Sequence, residues 1–92
     1  MDEKLKLAAD KIEIADVVYK YCRAIDRMDR ELLESVFHED SIHHHGEYEG
    51  PSSDFCNFAF DILAEMEFTQ HLVGNLLIEV DGNTAWSEAY WT

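Results

Sequence analysis

The chain has 92 residues, 47% of them hydrophobic and 12% aromatic, enough for one small globular domain spanning 1–92 and too apolar for a disordered chain. Twenty acidic residues against seven Lys and Arg give a formal net charge of −13, which repels nucleic acid and anionic membranes. No apolar run approaches the roughly 18–20 residues of a membrane span, and the opening MDEKLKLAAD lacks the apolar stretch of a signal peptide, so a cytoplasmic location is expected.

The first element is a helix from Leu5 to Met28. Leu5, Ala8, Ile12, Ala15, Tyr19 and Cys22 recur at three- and four-residue steps, with Lys, Glu and Arg opposite. Asp26 falls on that apolar stripe, where an isolated carboxylate is costly unless it finds a partner or stays at the surface. Either it is exposed near the helix end, bonding Arg23, Arg27 or Arg30, or it is buried with a partner elsewhere. Asp29 reads as the N-cap of a second short helix, RELLESVF. Cys22 and Cys56 sit inside apolar helical patterns without metal-ligand spacing and read as buried free thiols.

SIHHH then reads as a short strand and GEYEG as a turn or second strand. On a strand His43 and His45 share one face and His44 takes the other, so three adjacent imidazoles cannot close on one ion. His43 and His45 with Glu47 make a weak metal set, and no metal site is expected. Pro51 suits the first turn of a third helix, in which Phe55, Phe58, Ala59, Ile62, Leu63 and Met66 form a core-packing stripe. TQHLVGNLLIEV and TAWSEAYWT read as two strands joined at Asp81-Gly82. Strict alternation puts His71, Val73, Asn75 and Leu77 on one face. A two-residue loop would add Trp86, Glu88 and Tyr90 to it, and a three-residue loop would add Ala85, Ser87 and Ala89. Helices followed by an antiparallel sheet define an α+β fold.

If the His71 face looks onto the first helix, Asp26 can accept from its imidazole, fix the tautomer and leave the other ring nitrogen as a base. Tyr21 lies five residues before Asp26, about 140° away around the helix, so geometry alone gives it little part in such a pair.

These residues together resemble the SnoaL-like branch of the nuclear transport factor 2-like superfamily. The matching stretches are YKYCRAIDRMD, LLESVFHEDSIHHHGEYEG and TQHLVGNLLIEVDGNTAWSEAYW. They carry a Tyr–Asp pair five apart (Tyr21, Asp26) and an F-x-x-D entry to the first strand (Phe37, Asp40, with Ser41 where Ala is usual). A G-x-(F/Y)-x-G turn (Gly46, Tyr48, Gly50) and an H-x-x-x-N strand (His71, Asn75) complete the match. The resemblance implies a cone in which helices pack into a curved, mostly antiparallel sheet around a pocket. The family's later strands would follow Thr92, so the sheet is expected to be incomplete.

It further implies that Asp26 and His71 meet across the pocket as an acid–base pair. Tyr21 would be a third catalytic group, with His44, His45 and Asn75 contacting substrate. The expected activity is a cofactor-independent, dehydratase-like lyase or isomerase acting on a small apolar cyclic or polyketide-like molecule. The alternative is a non-catalytic binding or oligomerisation module. Exposed sheet faces lead us to expect a homodimer or higher homo-oligomer.

Overall fold

Asp2 starts the first helix by accepting a hydrogen bond from the Lys4 N–H at 2.9 Å, and α1 then runs over Glu3–Arg27. It ends where Met28 enters the left-handed region (φ 51°, ψ 43°). The Met28 N–H donates to the Ile25 carbonyl and the Asp29 N–H to the Ala24 carbonyl. Asp29 also caps α2 (Arg30–Ser35), its side chain accepting from the Leu32 N–H at 3.1 Å. One residue thus closes one helix and opens the next. The computed structural model describes residues 2–92 and continues with β1 (Ile42–His45), β2 (Tyr48–Pro51), α3 (Ser52–Leu63), β3 (Val73–Asp81) and β4 (Thr84–Trp91). The fold is α+β, with the long helix leading antiparallel strand pairs that form no closed barrel. No helix among the described residues is long and apolar enough to cross a membrane.

The core is made by the end of α1 with α2 and α3: Ala24, Ile25, Leu33, Phe55, Cys56, Ala59 and Leu63 are buried together. Both cysteines are free and buried. The face that α1 packs differs from the expected stripe. Leu5, Ile12 and Tyr19 are 63%, 66% and 52% exposed, whereas Ile14, Val18, Tyr21 and Ile25 are covered or partly covered. Apolar side chains occur on two sides of this helix, and periodicity alone cannot say which side meets the core.

The strands form two separate two-stranded sheets, β1–β2 and β3–β4, in place of the single curved sheet expected. Each is an antiparallel hairpin with a two-residue loop, Gly46–Glu47 and Gly82–Asn83, and the first loop glycine of each has φ +59°. That position favours glycine in the turns that match strand twist. The second loop is therefore Gly82–Asn83, one residue later than the expected Asp81-Gly82. Pro51 ends β2 and precedes α3 without entering its first turn, and α3 stops at Leu63, short of Met66.

The larger departure is in β3. His71 and Leu72 precede the strand, and the pairing shifts by one residue between Val73 (opposite Trp91) and Leu76 (opposite Ala89). This irregularity at Gly74–Asn75 breaks strict alternation. Beyond it Leu76, Ile78 and Val80 are the partly covered residues of β3, opposite Ala89, Ser87 and Ala85. Asn75 is exposed and lines a small surface hollow with Leu77 and Glu88, so it does not share a face with His71.

Candidate functional site

The end of α1 meets the segment joining α3 to β3 through one carboxylate. The Thr69 hydroxyl donates to Asp26 Oδ1 at 2.9 Å and the His71 backbone N–H donates to Oδ2 at 2.8 Å. The His71 ring lies with Nδ1 2.6 Å from Oδ1. An ionised carboxylate only accepts, so Nδ1 carries the hydrogen and the lone pair of the neutral ring is on Nε2. Burial pushes the Asp26 carboxyl up. The hydrogen bonds from the His71 ring, the His71 backbone and Thr69 outweigh it and hold the group below the usual carboxylate range. Of the arginines weighed as partners, Arg30 Nε bonds Glu34 at 2.9 Å and Arg23 Nη1 lies 3.9 Å from Asp29.

His71 stands between two spaces. On one side is a cavity of about 540 Å³, walled by Val17, Val18, Val36, Phe37 and Trp91 and reached by Tyr21, His43, His44, His45 and His71. On the other is an outer groove lined by Asp26 with Tyr19, Arg23, Arg27 and Gln70. Asp26 therefore holds His71 from behind, while Tyr21 shares the cavity in front. The 140° between Tyr21 and Asp26 is what lets a single helix reach both sides of the imidazole.

Trp91 completes the setting. Its ring meets Tyr21 edge-on at 5.8 Å and His71 edge-on at 6.2 Å. Burial, with smaller contributions from Cys22 and Cys56, pushes the Tyr21 phenol up to about 12, so it stays protonated at neutral pH and can donate a hydrogen bond or its proton.

The remaining expected residues divide. His45 reaches the cavity and stacks at 5.5 Å on His43. His44 also lines the cavity and, like His45, is exposed, its Nδ1 3.4 Å from Glu49 on the neighbouring strand. Asn75 is not brought to the cavity. The sequence reading missed three contributors: Thr69, His43 and Trp91. His43 could have been found from its shared strand face with His45, and Trp91 from the correct register. Nothing local marks Thr69. Among the described residues no group of three or more His, Cys, Asp and Glu is placed to hold a metal ion.

An acid–imidazole pair in the wall of an apolar cavity, between a long helix and antiparallel hairpins, defines an α+β pocket protein. A family model described as SnoaL-like domain, of the nuclear transport factor 2-like superfamily, matches residues 7–92, and the chain belongs to that family. No curated protein and no solved structure gives a match. The fold is shared by polyketide cyclases and isomerases and by non-catalytic proteins, so activity must be argued from the site.

Proposed function

We propose that the protein is a lyase or isomerase of the dehydratase type, acting on a small apolar cyclic or polyketide-like substrate. The observation that carries this reading is the 2.6 Å contact of Asp26 Oδ1 with His71 Nδ1 beside an apolar cavity that also receives Tyr21. His71 Nε2 takes a proton from carbon next to a carbonyl, and Tyr21 donates a hydrogen bond to the oxygen on which charge develops. The C–H electron pair becomes the new double bond, and the neighbouring C–O bond breaks with its pair on oxygen. The proton then passes from His71 to that oxygen, releasing water and restoring the base. Asp26 holds the tautomer and stabilises the imidazolium formed midway.

The test is a panel of cyclic β-hydroxy ketones, with elimination read as rising enone absorbance. The parent should turn over at least one member. His71→Gln should slow that reaction by about 10²- to 10⁴-fold while still unfolding cooperatively on heating. Tight binding without turnover across the panel would replace this reading by the non-catalytic pocket protein.

A further inference from the structure

The polar end of the cavity is made of imidazoles on an aromatic floor. The His43 ring stacks on Phe55 with centroids 3.7 Å apart at 18°, and Phe37 meets it edge-on at 5.4 Å. His45 lies over the same Phe55 at 5.1 Å. Phe55 is 1% exposed, so the floor is fixed core. The cavity has no Lys or Arg among its described lining residues, and the chain as a whole carries a net charge of −13.

We infer that His43 is a ligand-contacting, specificity-determining residue, and that the ligand is an uncharged planar ring compound whose carbonyl or hydroxyl oxygen is held by this imidazole. The inference rests on the reading that this cavity receives the substrate, and it adds which end takes the oxygen and which charge class is refused. Burial, reinforced by His45 and His44, holds the His43 pKa below the ordinary histidine range, so at neutral pH the ring is a neutral donor and acceptor. A ligand carboxylate entering here would lose water and meet no fixed cation, which is costly. A flat ring lies against Phe37 and Trp91, and its oxygen then reaches the His43 end of a largely apolar space.

Three probes of nearly equal shape separate these effects: acetylnaphthalene, ethylnaphthalene and naphthoate, titrated into the full chain by calorimetry at neutral pH. One net hydrogen bond makes the ketone bind about three- to tenfold tighter than the ethyl compound, and naphthoate binds about tenfold or more weaker than the ketone. His43→Phe keeps a ring on Phe55 but loses the polar atoms. It should bind ethylnaphthalene as the parent does and show no preference for the ketone. Nitrogen NMR of the parent gives a readout independent of any variant: the His43 ring resonances should move with the ketone and not with the ethyl compound. Equal binding of ketone and ethyl compound, naphthoate binding as tight as the ketone, a preference retained in His43→Phe, or unmoved His43 resonances would each overturn the proposal. Because the readout is binding, failure to find elimination leaves this inference intact, and its own failure leaves the Asp26–His71 chemistry intact.

Discussion

Asp26 satisfies three donors with two oxygens, and that arrangement sets how the protein responds to acid. Its folded pKa lies below that of the unfolded chain, about 3.9 for an aspartate. The stability it contributes is therefore complete above that value and is lost as pH falls through the lower folded value. Asp26→Asn cannot accept at both positions, so it should lose about 1 to 3 kcal/mol at neutral pH. Its stability should also vary less with pH than the parent's below about pH 4. Urea melts of both proteins across the acid range test this, and parallel acid limbs would show that Asp26 is not the group responsible. The pairing was one of two readings the sequence left open, because an acid at the end of an apolar helix pattern can be satisfied by nearby arginines as well as by a distant histidine. Tyr21 was legible only through the family resemblance and not from helix geometry, which sets it about 140° from Asp26 on the wheel. Asn75 misled because alternation was carried through a point where the strand breaks it.

At the scale of elements, the Met28 link is the strained one. It is the one non-glycine residue with positive φ among the described residues, and its side chain is 43% exposed. A left-handed conformation costs an L-residue about 1–2 kcal/mol that glycine avoids, against a loss of backbone entropy from the unfolded state. Met28→Gly should therefore stabilise the fold by about 1 kcal/mol net, raising the melting midpoint by about 4–8 °C for a domain of this size. An unchanged or lower midpoint in thermal melting would mean that packing of the Met28 side chain outweighs the backbone term. The existence of the helices was readable from period and caps, and Asp29 was found from its N-cap chemistry alone. The buried face of α1 was not readable, because Leu5, Ile12 and Tyr19 form as regular a stripe as Ile14, Val18, Tyr21 and Ile25. The choice between them belongs to the partners that pack on each.

For the whole molecule, the exposed area is 7236 Å², against about 5,500 Å² for an average folded monomer of this mass. Large apolar side chains are part of the exposed area: Leu77, Trp86 and Tyr90 on β3–β4 are 67%, 57% and 68% exposed, and Leu5 and Ile12 on α1 are similarly open. We propose that the exposed apolar surface of the β3–β4 hairpin pairs with a second copy, since a surplus of this order matches the area that stable homodimers bury. Sedimentation equilibrium should give a dimer mass at micromolar concentration, and Trp86→Asp should shift it toward monomer. A monomer at every concentration, or a dimer indifferent to Trp86→Asp, would place the contact elsewhere or remove it. That apolar strand side chains are left exposed was legible in the sequence, whereas the separation of the strands into two sheets was not, because alternation says nothing about which hairpins join.

The shift at Gly74–Asn75 divides the chain by parity. Before it, the odd-numbered His71 and Val73 are the partly covered residues; after it, the even-numbered Leu76, Ile78 and Val80 are. A substitution in this hairpin changes what a side chain is, but only a change in length changes which side it serves. His71 and the covered face of the strand beyond it can therefore vary in composition independently, while the count of residues between them is held to a single value.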